Sequence, residues 1–412
     1  MLTKIGKQLS FGLVAQIITF AITPIITRIY SPEEFGIFNN VVLWAGFLLP
    51  IIALSLPVAI VLQKNSNMVI RASRACLVIS LITSTIMLLI VAFLSLFIEL
   101  KVSTYLIYAT LLAIILNGND IFAYTLIRCE KLKIRGLILL LQAIITGLLK
   151  VILGFSIPTY STLIIATILG YVCCFLIFYK DTAEVTRKFK LKDSMFFINK
   201  HKEIVMFRMP QNLITAANQL IPVFLITYYF GAVFAGFYAL SRTVIVMPFN
   251  VLGRAVQDVL YPRYSALISK NQSIIEEITK VIIFSLLISM LPTIIFWGYG
   301  SDIFKLLFGV EWATSGLLAF WIIIPNMIMF SNKALLALVS IFKIEKYLLI
   351  NSVILLIINV VCYFLLPNLG MSELDTVIYG SVFSTFPHFL LSYICLREVY
   401  RYEKKCSPVR SL

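Results

Sequence analysis

The stretch Ala75-Cys76-Leu77-Val78-Ile79-Ser80-Leu81-Ile82-Thr83-Ser84-Thr85-Ile86-Met87-Leu88-Leu89-Ile90-Val91-Ala92-Phe93-Leu94 holds no charge, proline or glycine. A helix needs about 20 apolar residues to cross the hydrocarbon core of a bilayer, and this run supplies them. Comparable runs recur along the chain. They predict helices near 8–27, 37–62, 75–98, 104–127, 136–157, 161–179, 203–230, 234–254, 277–299, 315–341, 347–367 and 376–396. The whole sequence agrees, since 60% of its residues are hydrophobic and 13% are charged. A soluble globule carries about 25% charged residues. The chain therefore reads as an all-α polytopic membrane protein with about 12 transmembrane helices. Long uniform apolar runs exclude a β-barrel, whose strands alternate polar and apolar positions. A soluble enzyme, a nucleic-acid binder and a secreted disulfide scaffold are excluded with it.

The net charge of +15 resolves once charges are placed on the spans. With the N-terminus in the cytoplasm, inside segments hold 27 of the 34 Lys and Arg, while outside segments hold Arg28, Lys101 and Lys305. Such asymmetry is the positive-inside rule. Basicity thus encodes a multi-pass topology with both termini cytoplasmic and contact with anionic membrane lipids, and not nucleic acid. None of the seven cysteines falls in an outside loop, so structural disulfides are not expected. The first apolar stretch is too long for a signal-peptide core and lacks a small-residue cleavage site, so it is expected to remain as an anchor.

Outside loops such as Pro158–Ser161, Gly231–Ala235 and Pro367–Asp375 are short and leave no room for a domain on that face. The longest polar segment, Lys180–Lys202, mixes basic residues with Phe189, Leu191, Phe196 and Phe197 and reads as an amphipathic linker on the cytoplasmic surface. It divides the chain into a bundle over 1–180, the linker over 181–202, a second six-helix bundle over 203–399 and a basic tail over 400–412. Phe35-Gly36-Ile37-Phe38 and Ala235-Gly236-Phe237-Tyr238 echo each other at an offset of 200 residues. Six spans return the chain to its starting side, so the echo describes a parallel, pseudo-symmetric repeat about an axis along the membrane normal.

Polar residues recur at helical spacing within spans. Arg208, Gln211, Asn212, Thr215, Asn218, Gln219 and Pro222 share one face of the seventh span. Gln142, Thr146 and Lys150 do so in the fifth, Asn117, Asp120 and Tyr124 in the fourth, and Asn326 and Lys333 in the tenth. The first span adds Gln16, Thr19, Thr23 and Thr27; the twelfth adds Ser381, Thr385, His388 and Ser392. A charge facing lipid at mid-bilayer costs about 3 kcal/mol or more, so these faces imply a shared, watered interior. At about 1.5 Å per residue, Arg208 lies roughly 9 Å from the inner flank, Asp120 about 12, Lys333 about 15, Arg242 about 18 and Lys150 about 22 Å. Four cations and one carboxylate make a cationic lumen suited to an anionic cargo, phosphate above all.

Each residue has a plainer reading. Arg208 can snorkel to the inner interface. Asp120 can be a structural counter-ion of Lys150 or Lys333 rather than a coupling-ion site. Arg242 and Lys333 can be held by backbone carbonyls, and His388 can be a packing residue rather than a proton carrier. The acids of Ser31-Pro32-Glu33-Glu34 make an ordinary helix start. The sequence holds no phosphate-binding loop, no H-E-x-x-H and no G-x-S-x-G elbow. It therefore offers no ATP engine, metal site or hydrolase nucleophile.

Thr23-Pro24-Ile25-Ile26-Thr27-Arg28-Ile29-Tyr30-Ser31-Pro32-Glu33-Glu34-Phe35-Gly36 resembles the opening of bacterial polysaccharide flippases. These form the O-antigen (Wzx-type) branch of the multidrug/oligosaccharidyl-lipid/polysaccharide exporter superfamily. Asn218-Gln219, Phe230-Gly231 and Gly236-Phe237-Tyr238-Ala239-Leu240-Ser241-Arg242 through Pro248 resemble the start of that family's second half. Phe308-Gly309-Val310-Glu311-Trp312 with Gly316 resembles its segment before the tenth span. The resemblance implies two six-helix bundles around a central cationic cleft in a bacterial inner membrane. It implies a cargo of polyprenyl (undecaprenyl)-pyrophosphate-linked oligosaccharide, moved by alternating access, with a polysaccharide polymerase and chain-length machinery as partners. Arg242 falls in a matching stretch and takes a general place in that cleft. Lys150, Lys333, Arg208, Gln211, Asn218, Gln142 and Asn326 are lumen candidates, and Asp120 and His388 coupling candidates, on the stripe argument alone. Coupling to H+ or Na+ is expected by family analogy, without any other cofactor. An outward-moving pyrophosphate of roughly −2 would also gain about 4–5 kcal/mol from an inside-negative 100 mV. The alternatives are a cation-coupled multidrug exporter of the same superfamily, whose cationic drugs would want acidic cavities, and a membrane polymerase or ligase, which would want a large external loop.

Overall fold

The computed structural model describes residues 2–97, 99–178, 191–270, 272–342 and 344–406. In chain order the long helices are α1 (Leu2–Ile29), α2 (Pro32–Ala53), α3 (Ser66–Leu94), α4 (Leu100–Arg128), α5 (Leu132–Ser156) and α6 (Tyr160–Ile177). A short α7 (Leu191–Lys200) and a π-helical turn (Ile204–Arg208) lead into α8 (Met209–Ser269). There follow α9 (Ile275–Phe308), α10 (Ala313–Ser331), the short α11 (Lys333–Val339), α12 (Glu345–Asn368) and α13 (Glu373–Cys406). Among the described residues, 11 helices are long and apolar enough to cross a membrane. The twelfth crossing is hidden in α8. A straight helix of its 61 residues would be about three bilayer cores long. Gly231, at φ 86° and ψ 170°, breaks it into two limbs, a backbone conformation that only glycine adopts freely. The corner falls where the sequence places an outside loop.

The chain divides into two compact units, Met1–Leu220 and Ile221–Leu412. In the first, α1 and α5 run parallel in register. Gly136, Gly147 and Gly154, eleven and seven residues apart on one face of α5, receive Phe11, Ile22 and Tyr30 of the α1 side. A Cβ at any of these glycines would strike the incoming side chain. Tyr30 closes the seam by donating its hydroxyl to the Lys150 carbonyl at 2.8 Å. Its own burial pushes the Tyr30 phenol up to about 12. Parallel packing of α1 on α5 is what a chain returning to the same side every second span requires.

The second unit repeats this scheme. Asn368 of α12 donates to the Tyr229 hydroxyl at 2.8 Å, at the end of the first limb of α8. The second limb packs on α10, with Ser241 donating to the Ser315 carbonyl at 2.6 Å. In the first unit the equivalent pair is α2 on α4. Likewise α9 crosses α10 as α3 crosses α4, and α13 packs on α12 as α6 packs on α5. The sequence echo thus corresponds to a repeated packing scheme within each unit.

Ser31 behaves as the sequence predicts, accepting from the Glu34 amide at 3.4 Å with Pro32 in the first turn of α2. Glu34 reaches further, accepting the Tyr160 amide at the start of α6. The tenth span differs from its expectation as one helix over 315–341. It is interrupted at Asn332, between α10 and α11.

Residues 179–190, including Phe189 and most of the basic linker, lie outside the described residues, as do 407–412 of the tail. The described end of the linker does more than lie on a surface. Phe197 of α7 is buried against Ala72 and Cys76 of α3, while Phe196 is exposed. The His201 ring packs against Phe197 at a tilt of 58°, and its Nε2 sits 3.2 Å from the Gln63 amide nitrogen. Burial, then the Lys200 ammonium, hold the His201 pKa below the ordinary histidine value. A depressed folded pKa means that the docked state gains stability above the unfolded value of about 6.5 and loses it as pH falls through the folded value. Amide protection factors in α7, with the slower intrinsic exchange at low pH divided out, should therefore fall at pH 5 relative to pH 7, and His201→Gln should remove that pH dependence.

Candidate functional site

Two prolines and a strained turn build a polar cavity in the first unit. Pro50 lies inside α2 and has no N–H to give the Gly46 carbonyl, so that acceptor loses its helical donor. The helix then stops at Leu54 and Ser55, both left-handed at φ 47° and 52°, before a 3-10 turn over Leu56–Ile60. Ser55 Oγ accepts from the Asn212 side chain at 3.0 Å, joining this turn to α8. Pro210 cannot donate to Met206, and the chain there takes the wider π turn that ends at Arg208.

The result is a cavity of about 270 Å³. Gly46 and Pro50 line one wall, Asp120 and Tyr124 of α4 another, and Arg208, Asn212, Thr215 and Gln219 a third. The stripe predicted on the seventh span is thus the cavity wall at four of its positions. Gln211 instead faces an adjoining crevice with Glu203, Phe207 and Arg208. Asn218 is half-buried and lies off this wall. The cavity combines a carboxylate, a guanidinium, a phenol, two hydroxyls and two amides, a set able to bind an anionic group beside a polyol.

Asp120 has a neighbour the sequence reading did not supply. The cation interacting with it is Arg135, at the start of α5, with Tyr124 and Tyr171 also in electrostatic range. Within the first unit the counter-ion of Asp120 is thus Arg135 and not Lys150, one of the two cations weighed for that role. Lys150 instead places Nζ 4.6 Å from the centre of the Phe38 ring, a cation–π contact. Gln142 is buried and donates to Asn119 at 3.4 Å, a tie between α5 and α4.

The second unit gathers a separate polar cluster. The stem of Lys333 covers Gly253, with Cγ 2.8 Å from where a Cβ would stand. Arg254 and His388 are within electrostatic range of Lys333. Asn332, absent from the sequence reading, is the centre of this cluster. Its buried side chain donates to the His388 carbonyl at 2.8 Å and accepts from Ser392 at 2.6 Å. Asn332 stands at the junction of α10 and α11, where its backbone amide still donates to the Ile328 carbonyl at 3.0 Å. Asn326 turns back to the Ile322 carbonyl of its own helix at 2.7 Å. Arg242 lies half-buried on the second limb of α8, within range of Tyr363.

The described chain is a polytopic helical fold in two like-packed units, with a polar cavity in the first. The profile of the polysaccharide biosynthesis protein family matches residues 25–316, and the chain belongs to that family. Among solved structures, an inward-facing multidrug resistance MATE transporter aligns with a TM-score of 0.69 at 13% identity, covering 97% of this chain and 98% of its own. The lipid II flippase MurJ, in an inward closed conformation, aligns with a TM-score of 0.69 at 11% identity, covering 96% and 90%. A Vibrio cholerae MATE transporter aligns at 0.53 with 14% identity, covering 97% and 96%. No curated protein matches by sequence. The resemblance read at Thr23–Gly36 and at Gly236–Arg242 is thereby borne out at the level of family and fold.

Proposed function

We propose that this protein is a flippase for polyprenyl-pyrophosphate-linked oligosaccharide, moving O-antigen or similar repeat units from the cytoplasmic to the outer leaflet of a bacterial inner membrane. Membership of the polysaccharide biosynthesis family over 25–316 carries this reading. The fold shared with a lipid II flippase supports it, because that protein's named cargo is a lipid-linked one. The mixed lining around Arg208 and Asp120 supports it chemically. Arg208 offers a fork for a phosphate, and Asn212, Thr215 and Gln219 offer donors and acceptors to sugar hydroxyls. The apolar tail would stay in lipid. The protein would act as a secondary transporter and not as an enzyme, with Asp120 or His388 serving a coupling proton or sodium ion, and a polymerase and chain-length machinery acting downstream.

The fold shared with MATE transporters favours a second reading, a cation-coupled multidrug exporter. Gene deletion separates the two. Mass spectrometry of extracted lipids should reveal an accumulated, completed polyprenyl-pyrophosphate repeat unit, and intact cells should lack the corresponding surface glycan. Unchanged lipid intermediates with altered drug sensitivity would favour the exporter. A further expectation concerns the drive. An inside-negative potential of 100 mV favours outward movement of two negative charges by about 4–5 kcal/mol. Flipping in sealed vesicles should therefore slow when an ionophore collapses the potential at constant pH.

A further inference from the structure

The Lys333 cluster of the second unit is built around two cations. The Lys333 stem lies across Gly253 of α8, with Cε 3.0 Å from where a Cβ would stand. Arg254, the next residue along α8, is the charge within electrostatic range of its ammonium. Arg254 is exposed and Lys333 half-buried, so a ligand can reach both. Among the described residues neither makes a salt bridge, although Asp258 follows Arg254 by one helical turn. Two like charges held close on packed helices repel, and a bound anion offsets that cost.

The helix face and its level say which anion. Asn250, Arg254 and Gln257 share one side of α8 at i, i+4 and i+7. No hydrogen bond or ion pair joins these three side chains to another described residue. Leu252 and Val259, on the opposite side of the helix, are exposed as lipid-facing side chains are. The polar side therefore turns away from lipid. A guanidinium, an ammonium and two free amides on that side suit phosphate oxygens, the first as a fork and the second as a point charge. At 1.5 Å per residue, Arg254 lies about 34 Å along α8 from the Gly231 corner, and Lys333 about 30 Å from Ala313 at the outer end of α10. Each path is about one hydrocarbon thickness, which puts the pair near the inner boundary, at the level of inner-leaflet headgroups. The level is lower than a count from the inner flank gives, because α11 ends in a packed cluster with Leu260, Tyr264 and Ile278 and not at the membrane boundary.

We propose that Arg254 and Lys333, flanked by Asn250 and Gln257, form a second phosphate site that receives a lipid-linked diphosphate at the inner-leaflet level. The inference rests on the cargo reading above for the source of the diphosphate. It gives the second unit a site of its own, built without Arg208 of the first.

The test counts ligands on the purified full-length chain by native mass spectrometry, with farnesyl diphosphate as the probe. The wild type should hold two, one at Arg208 and one at Arg254 and Lys333. The double substitution Arg254→Gln, Lys333→Gln should hold one with an unchanged thermal transition, and Arg208→Gln should hold the other. Arg254→Gln alone should weaken the second site by about tenfold or more, as loss of one charge-assisted hydrogen bond does. Asp258→Asn, which removes an acid from the same side of α8, should tighten it. Dioleoylphosphatidylglycerol at equal concentration should displace neither ligand. A double variant that still holds two, or displacement of the second ligand by that phospholipid, would overturn the proposal. A wild type that holds one diphosphate, lost in Arg208→Gln, would end the second site and leave the cargo reading intact. Two bound diphosphates on a chain whose deletion accumulates no lipid-linked unit would instead end the cargo reading and leave the site standing.

Discussion

Gly316→Ala should lower the thermal transition by several degrees, whereas Gly298→Ala, on the opposite side of α9 from Gly300, should cost nothing. Gly300 of α9 and Gly316 of α10 cross backbone against backbone. A Cβ on Gly300 would lie 2.6 Å from the Gly316 carbonyl oxygen, and one on Gly316 would strike the Gly300 carbonyl. No flexible side chain is available to yield, so the helices must part along their whole contact. Overpacking a well-filled contact costs about 1–3 kcal/mol and more when backbone must move, against a net stability of about 5–15 kcal/mol. At Gly298 a Cβ meets nothing within 4 Å. Alanine there gains up to about 1 kcal/mol of helix propensity. Fluorescence-detected size exclusion in mild detergent, with heating, reads both. A monodisperse, thermally unchanged Gly316→Ala protein would show that the two helices do not cross as described.

Arg208→Ala should reduce export by about 10- to 150-fold at matched expression. The side chain lies at the end of the π turn and lines both the polar cavity and the adjoining crevice. A charge-assisted hydrogen bond is worth about 1.5–3 kcal/mol, which sets that range. Arg208→Lys should recover only part of the activity, because an ammonium keeps the charge and loses the planar fork. If Arg208 merely snorkels to the inner interface, both variants will export at the wild-type rate. The readout is the ratio of accumulated lipid-linked repeat unit to surface glycan in a complemented deletion strain.

The spans, their number and the corner near Gly231 were legible because apolar run length and a glycine following Tyr228-Tyr229-Phe230 are local signals. The stripe on the seventh span was legible because 3.6-residue periodicity fixes which side chains share a face, and Arg208, Asn212, Thr215 and Gln219 do share one cavity. What periodicity leaves open is the identity of the neighbour. Lys150 and Asp120 both scored as buried charges, yet one meets Phe38 and the other Arg135. Ser55 was invisible because its role comes from a left-handed turn after Pro50, and Asn332 because its role comes from its partners His388 and Ser392 on another helix. Two signals stood in the sequence unread. Gly136, Gly147 and Gly154 mark one face of α5 and announce the close packing of α1. Pro50 within the second span marks the wall of the cavity.

The measurement that bears most directly on function is translocation by the purified full-length chain in proteoliposomes. The substrate would be a polyprenyl-pyrophosphate oligosaccharide whose terminal sugar is trimmed by a membrane-impermeant glycosidase added outside. Substrate sequestered in the inner leaflet should become trimmable much faster than in protein-free liposomes, faster still when the lumen is made negative, and Arg208→Ala should lose that gain. Trimming no faster than in protein-free liposomes, with rapid efflux of an organic cation driven by a proton or sodium gradient in the same vesicles, would contradict the account.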